Sequence, residues 1–203
     1  MKRILWDVDT QVDFVHADGK LAVPDAEAAV PAMRTLVGAA QAAGLPHVAS
    51  ADDHELTDAE ISETPDFSST YPPHCLRGTR GAQKIAATAQ SDPVPLGLGE
   101  VPARWLRGRE FLLLKKHFDV FTNPNAERLL ELLDPDEVIV FGVATDVCDD
   151  AAIRGLLDRG RRVVFVEEAS RGLDEARTRT CTTAWRERGV RFAGVDEVVA
   201  SLG

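Results

Sequence analysis

The sequence predicts an α/β protein: one domain over residues 1–203, built on a doubly wound, mostly parallel six-stranded sheet with helices on both faces. Three observations carry this. Short apolar runs alternate with longer helix-like stretches, the trace that strand–helix–strand units leave in a chain. A length of 203 residues suits one domain and can enclose a sizeable core. The composition, 44% hydrophobic and 28% charged, is that of an ordinary globular protein.

The predicted strands lie at residues 4–6, 47–49, 111–114, 138–143, 163–166 and 190–192, runs whose length and β-branched content suit buried strands. Between the first two, residues 26–43 form an Ala-rich stretch closed by Gly44, which reads as a helix. A short helix spans residues 125–133 and stops near Pro135. Cys148, Ala152 and Leu156 recur at i+4 on a third helix, closed by Gly160, and residues 174–188 form a fourth, closed by Gly189. Residues 51–110 break this rhythm with Pro, Gly, Asp and Ser; so long an irregular insertion in a compact domain is usually functional or mobile.

The formal net charge of −10 excludes the clustered Lys and Arg that phosphate contacts need, and an anionic membrane would repel it. No apolar run approaches the ~20 residues that span a bilayer. Met1-Lys2-Arg3 meets Asp7 too early for a signal peptide. Three scattered cysteines do not make a disulfide scaffold, so a cytoplasmic protein is expected.

In open α/β sheets ligands bind beyond the carboxyl ends of the strands, so the residues following each strand are the test for a site. The first strand is followed by Asp7, Asp9, Gln11, Asp13 and Phe14, the second by Asp52, Asp53 and His54, the third by Lys115, Lys116 and His117, and the fourth by residues 144–148, ending in Cys148. Alone, a cysteine is more often a small packing residue. At a helix N-terminus, the dipole and free N–H groups stabilise its thiolate. Asp9 is suited to take the thiol proton, and a lysine to keep that carboxylate ionised. Strand alternation sends only one of Lys115 and Lys116 into the crevice. Cys75 and Cys181 read as packing residues, and His16, His47 and His117 as structural ones. Asp13 reads as a tie for the loop after the first strand, Asp7 as an exposed residue.

Asp52-x-His54, then Glu60, then His74 offers oxygen and imidazole ligands suited to Zn²⁺, Mn²⁺ or Fe²⁺. Singly, each is better explained as a surface residue, and the spacing is not a diagnostic zinc pattern.

Taken in order, these residues resemble the nicotinamidase/isochorismatase-like cysteine hydrolase superfamily, and its nicotinamidase branch most. Residues 9–14, Asp-Thr-Gln-Val-Asp-Phe, are similar to the family's D-x-Q-x-D-F opening, and Gly19 to Pro24 to the G-x-L-x-V-P that follows. Lys115 matches the catalytic lysine, and Gly142 to Cys148 the G-x-x-T-D-x-C nucleophile segment. The resemblance implies that Asp9, Lys115 and Cys148 are catalytic, and that the backbone N–H groups of Ala144 and Cys148 receive the oxyanion. A cis Val143–Ala144 peptide is also implied. Asp52, His54 and His74 would ligate a metal, most simply zinc, with Glu60 standing where many members carry a further His. Phe14 and Tyr71 fall where aromatics sandwich the substrate ring, although Tyr replaces the commoner Trp. Residues 115–123 depart from the familiar nicotinamidase sequence.

The expected activity is amide hydrolysis through a cysteine thioester, with nicotinamide the leading substrate. The nearest alternative is a metal-independent amidase of the same superfamily acting on a ureido, carbamoyl or maleamate-type substrate. Isochorismatase chemistry does not use a cysteine. Asp7-Val8-Asp9 also resembles the start of haloacid-dehalogenase-like phosphatases, with Asp149 and Asp150 as metal carboxylates, but Gln11 stands where that pattern wants Thr. A non-enzymatic ligand-binding protein is the remaining class. The expected partner is a small amide, and the sequence leaves a homo-oligomer open.

Overall fold

Seven parallel strands form one sheet in the computed structural model, which describes residues 1–102 and 106–203. They are β1 (Arg3–Val8), β2 (His47–Asp52), β3 (Val94–Leu96), β4 (Glu110–Lys115), β5 (Glu137–Gly142), β6 (Arg162–Phe165) and β7 (Arg191–Phe192), in the order β3-β4-β2-β1-β5-β6-β7. The six expected strands are all present. The seventh, β3, corrects the count: Val94-Pro95-Leu96 lies inside the irregular insertion and pairs only with β4. A proline hides so short a strand from pattern reading, yet an edge tolerates it because one side of the ladder is unpaired.

The helices are α1 (Val12–Val15), α2 (Ala26–Ala42), α3 (Pro124–Leu133), α4 (Cys148–Asp158), α5 (Glu175–Glu187) and α6 (Val195–Leu202). Helix α3 starts with Pro124 at its first turn, and the Asn123 side chain accepts from the Asn125 N–H at 2.8 Å. Asp174 caps α5 in the same way, accepting from Arg177 N at 2.8 Å. Helices α2 and α6 pack on one another, as do α4 and α5. Helix α6 went unread in the sequence, although Val195 and Val198, at i and i+3, form its buried face. Ala152 and Leu156 of α4 are fully buried, as their spacing requires. Among the described residues no helix is long and apolar enough to cross a membrane.

Strand order reverses on either side of β1, so the crevice beyond the ends of β1 and β5 is the topological switch point. Two glycines permit the crowding there. Gly142 closes β5 at φ +145°, and a Cβ on it would lie 2.1 Å from the Val8 carbonyl oxygen. A Cβ on Gly81 would collide with the Asp13 carboxylate at 2.1 Å. That carboxylate accepts from Cys75 N at 2.8 Å and Lys20 N at 3.1 Å, so Asp13 does tie down the loops around β1.

Candidate active site

The register of the sheet assembles the site. Asp52 ends β2 directly beside Lys115, which ends β4, and Asp9 follows β1 in a left-handed conformation at φ +48°. The fully buried Lys115 ammonium lies 2.8 Å from Asp9 Oδ2 and 3.7 Å from Cys148 Sγ, and it donates to Asp52 Oδ1. Ser50, two residues before Asp52 and on the same side of β2, donates from Oγ to Asp9 Oδ1 at 2.7 Å. Asp9, Lys115 and Cys148 are thus brought together. Lys115 is the lysine that enters the crevice, while Lys116 turns to the rim and pairs with Asp58 at 2.9 Å.

Cys148 is the first residue of α4, as expected. Among the described residues its backbone N–H and that of Ala144 donate to no protein acceptor, whereas Thr145 N–H is used by Arg171 O at 2.8 Å. The Val143–Ala144 peptide is cis. Asp146 pins the loop beyond: it accepts from Leu173 N at 2.7 Å and Asp174 N at 3.2 Å.

Burial dominates the electrostatics. It pushes the Cys148 thiol well above the usual range, against the opposing pull of Lys115, so the resting cysteine is a thiol. Burial, with Asp52 nearby, also raises the Asp9 carboxyl despite Lys115. A proton on sulfur and a carboxyl of raised basicity 3–4 Å from a shared ammonium form an acid/base pair able to exchange that proton. For Asp52, burial works upward too, but Lys115 and the two imidazoles outweigh it and hold the carboxyl well below its usual range.

Asp52, His54, Glu60 and His74 form the second constellation, all buried, with one ligand atom from each within 4.8 Å of the others. His54 Nε2 and His74 Nε2 stand 3.7 and 3.5 Å from Asp52 Oδ2. His74 Nδ1 donates to the Pro72 carbonyl at 2.7 Å, which leaves the lone pair on Nε2. Among the described residues His54 Nε2 is buried without a hydrogen-bond partner, an expensive condition unless a cation meets it. Glu60 takes the Phe118 N–H on Oε2 at 2.8 Å and turns Oε1 to the histidines. The chemistry and burial of this donor set fit a divalent metal.

One cavity joins the two constellations: Cys148, Ala144 and Val147 line it together with Asp52, Glu60, His74, Phe14, Tyr71 and Leu173. Phe14 lies 5.2 Å and Tyr71 6.2 Å from the His74 ring, centre to centre. The Tyr71 hydroxyl is pushed up to about 12 by burial and stays neutral.

Comparison with known proteins bears on the family. The Isochorismatase domain model matches residues 99–197. Over 166 residues the chain is 33% identical to the nicotinamidase/pyrazinamidase of Mycobacterium tuberculosis, covering 77% of this chain and 82% of that protein. The chain belongs to the isochorismatase-like cysteine hydrolases, in their nicotinamidase branch. As a member it is a cysteine-type amidohydrolase. Two solved structures share the fold of this hydrolase. The zinc complex of Pyrococcus horikoshii pyrazinamidase superposes with a TM-score of 0.75 at 20% identity, covering 96% of this chain and 99% of that one. N-carbamoylsarcosine amidase of Thermoplasma acidophilum gives 0.75 at 24% identity, covering 97% and 98%.

Several residues of the hydrolase were not assigned a role from sequence. Gln11 clamps the end of β2, donating from Nε2 to Asp52 O at 2.8 Å and accepting from Asp52 N at 2.7 Å. Asp7 is fully buried rather than exposed: Lys84 Nζ is 2.8 Å away and Thr10 Oγ1 donates to it at 2.8 Å. Lys84 lies some 80 residues downstream, so no local signal reveals the pair. That ion pair occupies Asp7, the first Asp of the phosphatase-like Asp7-Val8-Asp9, and Asp150 accepts from Trp185 Nε1 at 2.8 Å. Among the described residues no group meets the hydrogen-bond geometry to either carboxyl oxygen of the buried Asp149, and burial pushes its acid well up against a weaker pull from Thr145.

Proposed function

We propose that this amidohydrolase converts nicotinamide to nicotinate and ammonia, with Cys148 as nucleophile. Asp9 takes the Sγ proton while Lys115 holds the carboxylate in place, and the sulfur attacks the carboxamide carbon. The carbonyl electron pair moves to oxygen, which the N–H groups of Ala144 and Cys148 receive; a preorganised donor of this kind is worth several kcal/mol. As the pair returns, the C–N bond breaks and Asp9 gives its proton to nitrogen, releasing ammonia and leaving a thioester. A water then loses its proton to Asp9 and adds to the thioester carbon. The C–S bond breaks, and the proton returns to sulfur.

The observation that carries the substrate is that three of the four clustered ligand residues, Asp52, Glu60 and His74, line one cavity with Cys148; acyl transfer by a cysteine does not itself need them. Asp52, His54, Glu60 and His74 would hold the ion, zinc on the ligand chemistry, which would supply a Lewis-acid contact for a ring nitrogen and so help orient the carboxamide. Phe14 and Tyr71 flank the ring. The cysteines of the described chain are unpaired, in keeping with a reducing cytoplasm.

A paired ammonia-release assay tests this, with nicotinamide and benzamide offered to metal-loaded and chelator-stripped enzyme. Benzamide carries the same scissile bond but no ring nitrogen, and a site that ligates a substrate atom rejects the analogue lacking it strongly. Nicotinamide should be turned over far faster, and stripping should abolish the preference. Equal rates on both amides, indifferent to stripping, would favour the metal-independent amidase acting on a ureido, carbamoyl or maleamate-type substrate.

A further inference from the structure

The residues after β4 do more than deliver Lys115. Lys116 donates from Nζ to Asp58 Oδ2 at 2.9 Å, and the same oxygen accepts from Glu55 N at 2.8 Å and lies 3.3 Å from His54 Nδ1. Two residues on, the Phe118 N–H holds Glu60 Oε2 at 2.8 Å. A single turn of chain therefore reaches behind two of the four ligand residues, and it belongs to the stretch that departs from the familiar nicotinamidase pattern.

We propose that Asp58, braced by Lys116, is a positioning residue for the metal site, fixing His54 with its proton on Nδ1 and its Nε2 lone pair turned toward Asp52, Glu60 and His74. This rests on the reading of those residues as metal ligands. The geometry argues for it from both sides of the ring. A carboxylate can only accept, so the nitrogen facing Asp58 must carry the proton. The opposite nitrogen, Nε2, is buried and has no hydrogen-bond partner among the described residues. Lys116 holds Asp58 from a third direction, so the carboxylate cannot swing away without breaking an ion pair and the Glu55 contact. Metal-bound histidines generally owe their orientation to such an outer carboxylate, and its loss typically weakens binding about 10–100-fold. His74 reaches the same end with the Pro72 carbonyl, so the two histidines present the same atom by different means.

The test is a zinc titration against a chromophoric competing chelator on purified full-length protein, comparing wild type with Asp58→Ala, Asp58→Asn and Lys116→Met. Asp58→Ala should weaken zinc about 10–100-fold. Asp58→Asn, which keeps an acceptor but loses the charge, should fall between it and wild type, and Lys116→Met should lose a few-fold. Nitrogen-15 NMR of the metal-free protein should find the His54 proton on Nδ1 in wild type and redistributed in Asp58→Ala. The alkylation rate of Cys148 should be the same in all four proteins. Unchanged zinc affinity in the variants, or a lowered metal-free melting temperature with affinity and tautomer intact, would overturn the assignment and reduce Asp58 to a structural residue. Should Asp58→Ala not fold, the Asn and Lys116 variants decide the matter alone. Failure of the wild type to bind zinc would overturn the metal reading and this inference with it, whereas zinc binding without nicotinamide turnover would refute only the substrate.

Discussion

Lys115→Met tests the electrostatics of the site most directly. The ammonium is fully buried, 2.8 Å from Asp9 Oδ2 and 3.7 Å from Cys148 Sγ, and bonded to Asp52 Oδ1. Methionine keeps the unbranched apolar stem but leaves two buried carboxylates without their cation. Removing one partner of a buried ion pair typically costs about 3–5 kcal/mol. For a chain of this size that corresponds to a melting temperature lower by roughly 6–20 °C. The sign of the pH dependence follows from the carboxylates. In the wild type Asp52 is held well below its usual range, so its stabilisation is present above the unfolded value near pH ~4 and is lost only as pH falls through the depressed folded value. Asp9, already raised by burial, contributes in the opposite direction. Without Lys115 the largest influence lowering each carboxyl is gone, so both folded values rise and each group contributes less stability once it ionises. The variant's deficit should therefore be largest at neutral pH and shrink toward pH ~4, where the buried acids can be neutral. Urea unfolding of both proteins across that range measures it, in chelator so that bound metal does not contribute. A deficit under about 1 kcal/mol, or one that does not change with pH, would refute the reasoning, because an exposed pair behaves that way.

Cys148→Ala should abolish ammonia release, while Cys75→Ser and Cys181→Ser keep much of it, since neither of those thiols lines the cavity; substantial activity in Cys148→Ala would dispose of the thioester route. Asp149→Asn should stabilise the protein at neutral pH. Burial raises that acid's folded value, so its ionisation opposes folding as pH rises above the unfolded range, at about 1.4 kcal/mol for each unit of displacement. Urea midpoints of the two proteins should converge near pH ~4, and a variant no more stable than wild type at pH ~7 would show that Asp149 is not held neutral.

Most of the fold was legible because its strands are buried on both faces and read as short continuous apolar runs between Ala-rich or amphipathic helices. What escaped notice had weak or distant signals. β3 is three residues long with a proline in the middle, and α6 adds only two turns after the last strand. The candidate site was legible as a set of residue types after successive strands, because a parallel sheet delivers every strand's carboxyl end to one edge. Pattern alone could not choose between Lys115 and Lys116; the pairing of Asp52 with Lys115 across β2 and β4 settles which one enters. Nor could it foresee that Asp58 stands behind His54, since the contact depends on how the insertion folds back. Burial of Asp7 and of Asp149 was equally hidden, for a carboxylate in a sequence carries no mark of the depth to which tertiary packing will take it.

The charges in the cavity give a physical reason for nucleophile and metal ligands to share one lysine. Asp9, Asp52 and Glu60 bring three buried carboxylates against the one buried ammonium of Lys115, a formal surplus of two negative charges. Unpaired buried charges are costly, and proteins resolve them by protonation, by a counter-ion or by a metal. Here the resolution is divided by position. Glu60 and Asp9 are raised by burial, whereas Asp52 is driven the other way between Lys115 and the two imidazoles. Asp52 is thus the anion a divalent cation would meet first, and neutralising it would leave the Lys115 ammonium to Asp9 and the Cys148 sulfur. On this argument the order of ligands in the chain matters less than the fact that Asp52 and Asp9 hold the same ammonium from two sides. A change at either carboxylate must be felt at the other, so Asp52→Asn should alter the pH profile of Cys148 alkylation as well as weaken zinc. If only zinc binding changes, and the alkylation profile of the metal-free variant overlays the wild type, then the two constellations are neighbours in space and independent in energy.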